Sequence, residues 1–213
     1  MRVFSAAAPP FMKNGFVVSS GDTREAVIID PGDEVDDLLR HVDRQRLSVT
    51  MILLTHAHVD HITGVARAKD AVGAPVWLHR DDLFLYEGAP EQARMFGLEA
   101  DAPPPVDCFY ERGRQLSFGG CVVDVLDTPG HSPGGVCLAI GGSSSEIREL
   151  FAGDTLFAGS IGRTDLPGGD FDTLMRSIRT VLLHYPDDTV LHSGHGPDST
   201  IGHERRTNPF LAR

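Results

Sequence analysis

The sequence predicts an α/β sandwich, in which helices cover β-sheets. Strand-like apolar runs and helical apolar patterns occur in both halves of the chain, and each half closes with a helix and a strand. The 213 residues are 41% hydrophobic and 23% charged, a balance typical of a globular chain and not of a disordered one. A chain of this length predicts one domain, spanning residues 1–213.

The elements of the first half follow from the spacing of apolar residues. Two β-rich runs, 16–19 and 26–30, are separated by a Ser-Gly-Asp sequence, which predicts a hairpin. Apolar residues at i, i+3, i+4 and i+7 predict a helix over 35–42. The continuous apolar run 49–54 is typical of a strand buried on both faces. Helices over 62–72 and 81–97 and a short strand over 76–78 complete this half.

The pattern restarts after a Pro-rich connector at 102–105. Short apolar runs separated by Gly and Ser predict further strands, and a stretch with an apolar face predicts a helix over 171–183. The predicted strands are 122–126, 136–140, 150–151 and 189–191.

The charge balance excludes some classes of partner. Lys and Arg number 19 against 30 Asp and Glu, a net charge of −11, which argues against nucleic-acid binding. No apolar run approaches the ~20 residues that cross a bilayer, and the N-terminus does not resemble a secretory signal. The three cysteines lack C-x-x-C spacing and are expected to be thiols in a reducing compartment. We therefore expect a cytoplasmic protein that binds neither nucleic acid nor membrane, and the sequence does not indicate its oligomeric state.

The strongest functional signal directly follows the apolar run that ends at Leu54. The sequence Thr-His-Ala-His-Val-Asp-His places His56, His58, Asp60 and His61 in one loop. In an extended backbone His56 and His58 point to the same side, whereas Asp60 and His61 enter the next helix and point elsewhere. Imidazole and carboxylate groups bind Zn²⁺, Fe²⁺ or Mn²⁺. Because the loop contains no Cys, it favours an open catalytic metal site, and one loop can serve two adjacent centres.

Three single residues repeat this placement farther along the chain. His131, Asp154 and His195 each follow an apolar strand and lie beside Gly. A lone His or Asp in a turn is more often a cap or a solvated residue. The shared position at strand ends makes these three the expected remaining ligands.

These motifs resemble those of the metallo-β-lactamase superfamily over nearly the whole chain. His56, His58, Asp60 and His61 match its H-x-H-x-D-H motif, and the later single residues follow in the same order. The resemblance implies a four-layer αβ/βα sandwich with two metal ions at one edge. It also implies that His56, His58 and His131 hold the first ion, that Asp60, His61 and His195 hold the second, and that Asp154 bridges them.

Two divalent ions about 3.5–4 Å apart suit hydrolysis, because a metal-bound hydroxide is available at neutral pH and attacks a carbonyl carbon. One ion then stabilises the developing oxyanion. Asp60 is the expected catalytic residue that orients the nucleophile besides binding metal. We expect zinc, although the same ligands accept iron or manganese.

Two further segments narrow the resemblance to short hydrolases similar to type II glyoxalases. These segments are Gly162-Arg163-Thr164-Asp165 and the C-terminal stretch 200–211. The resemblance implies a small-molecule thioester substrate such as S-lactoylglutathione. The larger type II glyoxalases carry a helical C-terminal domain that helps bind glutathione. This sequence ends before such a domain, which leaves the thiol carrier open.

Two residues are candidate substrate contacts. Arg163 suits an anionic substrate group, since guanidinium pairs with carboxylates, but it also suits an internal pair with Asp165 that shapes the loop. His203 is a candidate for lining the site near His195, with a surface position as the alternative.

The main alternative keeps the fold and changes the chemistry. Persulfide dioxygenases of the same superfamily show a similar H-I-T-G sequence after the metal motif and a similar G-R-T-D sequence later. In them one Fe²⁺ is held by two His and one carboxylate, which would be His56, His131 and Asp154 here. A β-lactamase, a lactonase and a non-enzymatic protein are weaker alternatives, and RNA processing is disfavoured by the acidic charge.

Overall fold

The computed structural model describes residues 1–142 and 149–211 and shows four layers. Two six-stranded sheets pack face to face, and helices cover the outer face of each sheet. The predicted α/β sandwich is therefore confirmed, and with it the αβ/βα arrangement that the family resemblance implies.

The first sheet contains β1 to β6 in chain order. The predicted hairpin is confirmed, since Phe16 pairs with Ile29 in an antiparallel register. From β3 onward the strands run parallel, as expected where helices connect them. The strands are β1 (Arg2–Ala8), β2 (Lys13–Ser19), β3 (Glu25–Ile29), β4 (Ser48–Leu53), β5 (Val76–Leu78) and β6 (Cys108–Phe109).

The second sheet has the order β14-β13-β10-β9-β8-β7. Its pairs are antiparallel except β10 with β13, which are parallel. A two-stranded ribbon of β11 and β12 lies apart from it. The strands are β7 (Leu116–Phe118), β8 (Cys121–Asp127), β9 (Val136–Gly142), β10 (Glu149–Gly153), β11 (Leu156–Phe157), β12 (Ser160–Ile161), β13 (Val190–Ser193) and β14 (Ser199–Thr200).

The helices differ in length from those that the apolar pattern predicts. The helix predicted over 35–42 extends to Gln45, and the helix predicted over 171–183 ends at Thr180. The helix predicted over 62–72 is interrupted at Thr63 and Gly64, where the chain lies so close to the Gly32 carbonyl that a Cβ would collide with it. The helix predicted over 81–97 begins with a 3₁₀ turn and is divided at Gly88 into two short α-helices. The α-helices are α1 (Val35–Gln45), α2 (Val59–Ile62), α3 (Val65–Val72), α4 (Leu83–Glu87), α5 (Ala89–Met95), α6 (Phe171–Thr180) and α7 (Ile201–Thr207).

Three apolar clusters lie between the layers. One fills the space between the first sheet and its helices, around Ile52 and Leu38. The second lies between the two sheets, around Phe16 and Phe151. The third joins the second sheet to α6 and α7. Alternate residues of β4 therefore enter two different clusters, which explains why its apolar run is continuous. Among the described residues no helix is long and apolar enough to cross a membrane.

Candidate metal centre

The seven residues predicted to bind metal lie together at one edge of the sandwich. His56 and His58 follow β4, and His131 follows β8. Asp154 and His195 follow the parallel strands β10 and β13, whose carboxyl ends meet at the same edge. The fold thus brings together side chains from both sheets, as the strand-end placement predicts.

The first ligand group consists of His56, His58 and His131, and all three are buried. His131 Nε2 lies 2.8 Å from His58 Nδ1 and 3.1 Å from His56 Nε2. Three imidazole nitrogens this close and shielded from water form a donor set suited to a cation.

The second ligand group consists of Asp60, His61 and His195. His195 Nε2 lies 3.1 Å from Asp60 Oδ2, and His61 Nε2 lies 3.7 Å from the same oxygen. This group is more open than the first, since the His195 side chain is 33% exposed.

Asp154 lies between the two ligand groups. Its Oδ2 is 3.6 Å from His131 Nε2 and 3.6 Å from His195 Nε2, and its Oδ1 is 3.3 Å from His61 Nε2. A Cβ at Gly194 would collide with Asp154 Oδ1, so glycine is needed there for the two loops to approach. The carboxylate therefore contacts both groups at once.

Unpartnered buried atoms indicate that this cluster fits a metal. His61 Nε2 and Asp154 Oδ1 are buried and have no hydrogen-bond partner among the described residues. A buried polar atom left unpaired is costly, and these two lie 3.3 Å apart within the cluster of nitrogen and oxygen donors. The chemistry of the donors and the position of the unpaired atoms both suit divalent cations.

Asp30 orients two of the imidazoles, and the sequence analysis missed it. Its Oδ2 lies 2.9 Å from His61 Nδ1 and accepts a hydrogen bond of 2.6 Å from Thr55 Oγ1. The same hydroxyl lies 3.1 Å from His56 Nδ1. With the ring protons at Nδ1, the Nε2 lone pairs of His56 and His61 face the cluster, which is the tautomer that metal binding requires. The signal was present as Asp-Pro-Gly at the end of a buried strand.

Asp82 and Gln92 hold the ligand loops and were also missed. Asp82 is buried and accepts hydrogen bonds from Ala57 N (3.1 Å), Ser132 Oγ (2.8 Å) and Gly134 N (2.6 Å), which ties the two loops of the first ligand group together. Gln92 binds Ala57 O at 3.0 Å and Val59 N at 3.1 Å. Their sequence context, within a helical pattern, gives no signal of this role.

A buried ion pair lies beside the second ligand group. Lys13 and Glu34 are both buried, with Nζ 2.7 Å from Oε1, and Lys13 Nζ also donates to the Asp30 carbonyl. The backbone of Lys13 forms a β-bridge with His195. This pair therefore lies where the His195 loop, β2 and the Asp30 turn meet.

The two groups differ in electrostatics. Burial, together with the neighbouring His131, lowers the pKa of His58 to about 3. Burial also lowers the pKa of His61, but the carboxylates of Asp60, Asp154 and Asp30 outweigh that effect and raise its pKa to about 10. Burial raises the pKa of Asp154, but the nearby His61 outweighs it and holds that pKa below its ordinary value. His58 in the first group is thus held neutral, whereas His61 in the second group is paired with negative charge.

Arg163 contributes to the site through its backbone. Its carbonyl oxygen lies 2.7 Å from His131 Nδ1, which fixes that ring with Nε2 toward His56 and His58. Its guanidinium forms a bidentate pair with Asp165, at 2.6 and 2.8 Å. The structure therefore shows the internal pair that the sequence offered as one of two roles for Arg163.

A cleft of about 200 Å³ leads to the cluster. Arg163 lies in its wall together with ligand residues of both groups. His203 is exposed on α7 and is not among the residues that line the cleft, so its predicted substrate contact remains only a prediction. The lining residues are Phe11, His58, Val59, Asp60, Gln92, Phe96, His131, Asp154, Arg163, Leu166 and His195.

Known proteins resemble this chain over most of its length. A family model described as "Metallo-beta-lactamase superfamily" matches residues 8–195. The chain is 43% identical to hydroxyacylglutathione hydrolase GloC of Haemophilus influenzae, over 89% of each chain.

Three solved structures show the same fold. TTHA1623 in a di-iron-bound form is 44% identical with a TM-score of 0.84, over 98% of this chain and all of that one. The BLEG-1 B3 metallo-beta-lactamase is 38% identical with a TM-score of 0.89, over the full length of both chains. ETHE1 from Myxococcus xanthus is 26% identical with a TM-score of 0.81, over all of this chain and 85% of that one.

Proposed function

The chain belongs to the metallo-β-lactamase superfamily, and from that premise we propose that it is a dinuclear metallohydrolase that cleaves a small thioester such as S-lactoylglutathione. The observation that carries the proposal is Asp154, whose carboxylate lies within 3.6 Å of nitrogens from both ligand groups. Similarity to a hydroxyacylglutathione hydrolase supports this substrate class.

In this proposal each ligand group holds one ion. His56, His58 and His131 would hold the first, Asp60, His61 and His195 would hold the second, and Asp154, which lies between the two groups, would contribute to both. When bound, such a pair of ions supplies a nucleophilic hydroxide at neutral pH and polarises the carbonyl oxygen of the substrate. Zinc is the expected metal, and iron remains an alternative because TTHA1623 is described in a di-iron-bound form.

The residues of the chain position the reacting groups. Asp30 and the Arg163 carbonyl hold the imidazole tautomers, so no ring needs to reorient during turnover. Asp60 lines the cleft with its side chain 14% exposed, close enough to His195 for a hydrogen bond. In this position the Asp60 carboxylate accepts a hydrogen bond from the nucleophile and so orients the nucleophile toward the carbonyl carbon.

A second candidate function is a mononuclear-iron persulfide dioxygenase. The observation that favours it is a compact set of two His and one carboxylate. His131 Nε2 lies 3.1 Å from His56 Nε2 and 3.6 Å from Asp154 Oδ2, without any member of the second ligand group. Such a set suits one Fe²⁺ with open positions for O₂.

Turnover of S-lactoylglutathione by purified protein tests the proposal, with metal content measured on the same sample. We expect about two ions per chain and hydrolysis that a chelator abolishes and added zinc restores. One iron per chain, no hydrolysis and O₂ uptake with glutathione persulfide would replace the proposal with the dioxygenase. Omitting the protein and boiling it serve as controls for spontaneous thioester hydrolysis.

A further inference from the structure

The cleft is too small to enclose a whole peptide thioester. Its volume is about 200 Å³, below the roughly 300–1,000 Å³ of sites that bury a drug-sized ligand. The reacting carbonyl therefore enters the cleft, while the rest of the substrate lies across the rim. The residues of the rim decide which substrates fit.

The rim is apolar and aromatic. Phe11, in the turn before β2, and Phe96, at the end of α5, both line the cleft. Their rings meet edge to face with centroids 5.5 Å apart. Phe96 is 45% exposed, so much of its ring is accessible. Large apolar side chains that cluster at the mouth of a cleft are typical of a binding surface.

The position of Phe96 relative to the ligand loop is fixed by Gln92. The two residues are four apart, so they lie on the same face of α5 and its end. Gln92 Nε2 donates to Ala57 O and to Leu85 O at 2.7 Å, and its Oε1 accepts from Val59 N. Every polar atom of Gln92 is thereby occupied. Gln92 is a positioning residue that holds the Phe96 ring above the ligand loop, and it has no donor left for substrate.

The described lining offers no free positive charge for a substrate carboxylate. Arg163 is the one cationic side chain besides histidine among these lining residues, and Nε and Nη2 of its guanidinium are already paired with the Asp165 carboxylate. Substrate recognition beyond the metal ligands is therefore mainly apolar.

We propose that Phe11 and Phe96 determine specificity by packing on the apolar group next to the thioester, so that the enzyme selects thioesters with an alkyl acyl chain and is indifferent to a charged thiol carrier. The identity of the ligand as a thioester rests on the proposed function. The packing itself does not, because any apolar group of the same shape meets the same rings.

Binding of S-alkyl glutathione thioethers tests the packing without any reaction, because a thioether cannot be hydrolysed. Calorimetric titration with the methyl, propyl and pentyl compounds should give an affinity that rises about 2- to 4-fold for each added methylene. Phe11→Ala combined with Phe96→Ala should flatten this dependence. Phe171→Ala, which removes a ring that is 49% exposed and does not line the cleft, should leave it unchanged.

Hydrolysis of matched thioesters completes the test. In wild type, kcat/KM should rise from acetyl to butyryl glutathione and change less than about 3-fold when N-acetylcysteamine replaces glutathione as the carrier. An affinity that does not depend on alkyl length, or a dependence that survives in the double variant, would overturn the inference. If metal-loaded protein hydrolyses no thioester while thioether affinity still follows alkyl length through the two rings, the proposed function fails and the apolar subsite stands.

Discussion

The two ligand groups are built from similar side chains but present opposite environments. The first consists of three buried imidazoles, and burial keeps the pKa of His58 near 3. The second contains the carboxylate of Asp60 and the partly exposed His195, and the carboxylates around His61 raise its pKa to about 10. Both groups border the cleft, but the first is a more buried set of imidazoles around the neutral His58, and the second is a more exposed set that includes a carboxylate. We expect the first to hold its ion more firmly, and the second to depend more on its surroundings.

Removing one ligand from each group gives the largest effect and tests this difference directly. His131→Ala should lower kcat by more than about 100-fold and reduce bound metal to below one ion, because it opens the buried set and removes a neighbour of Asp154. His195→Ala should leave about one ion bound. Metal content by mass spectrometry and kcat on the same samples measure both. Equal metal loss in the two variants would contradict the prediction that the more buried group holds its ion more firmly.

Asp30→Asn is expected to have the next largest effect, because Asp30 contacts His61 directly and His56 through Thr55. Metal affinity should fall about 10- to 100-fold at both ions. Asn suits the backbone here, since Asp30 has a φ of 48°, a region that Asp and Asn tolerate. Asp33→Asn, an exposed carboxylate in the same turn, is the control. Competition with a chelator of known affinity gives the dissociation constants of the two ions. A weaker affinity for only one ion would contradict the prediction that Asp30 supports both.

A smaller effect concerns the strand that carries the second group. His192 at the end of β13 is buried, and burial lowers its pKa, but Glu149 at 2.8 Å and Asp198 at 3.0 Å outweigh that and raise it above 6.5. A raised pKa stabilises the fold below pH 6.5, and this contribution is lost as the pH rises through the pKa of the folded protein. The free energy of unfolding of the wild type, measured with a denaturant, should therefore fall as the pH rises from 6.5 through the pKa of His192 in the folded protein. In His192→Gln the decline should be shallower, and parallel curves would count against the pairing.

Arg163→Ala should have the smallest effect. The guanidinium and its partner Asp165 are both largely exposed, and exposed pairs contribute little to stability. Because the backbone carbonyl that contacts His131 remains, KM and metal content should change less than about 2-fold. A several-fold rise in KM without a change in melting temperature would instead establish a substrate contact. Asp165→Ala, which frees the guanidinium, is the matched variant.

The sequence predicts the layers and the seven clustered residues because both depend on local patterns. The apolar strand 49–54 and the His-rich loop after it can be predicted without knowing which segments they contact in the fold. The first strand, Arg2–Ala8, is not predicted because it lies half exposed at the edge of a sheet and has three alanines and a single β-branched residue, Val3. The periodicity of apolar residues does not predict where helices are interrupted. Gly64 contacts the distant Gly32, and Gly88 ends one short helix and begins the next.

The supporting residues were harder to predict than the ligands. Asp82 joins two loops that lie 25 and 50 residues away along the chain, at Ala57 and Ser132, and Gln92 reaches 35 residues back to Ala57. The spacing of residues within a motif does not predict these hydrogen bonds, because they form only when the strands are packed together. The same holds for the Phe11 and Phe96 rings, which are distant in sequence and adjacent only at the mouth of the cleft.

The position of Asp154 between the two groups also bears on the stability of the folded chain. Cys108, Cys121 and Cys137 are free thiols, so the fold contains no covalent cross-link through them. Residues as far apart as Asp60 and His195, 135 positions along the chain, nevertheless meet at one point. Ions bound there would close long loops in the chain, much as disulfides do, and would favour the folded state by about 2.7 kcal/mol at a free-ion concentration 100 times the dissociation constant. Unlike a disulfide, this cross-link can be withdrawn by a chelator, so the resistance of the protein to unfolding would follow the supply of metal around it.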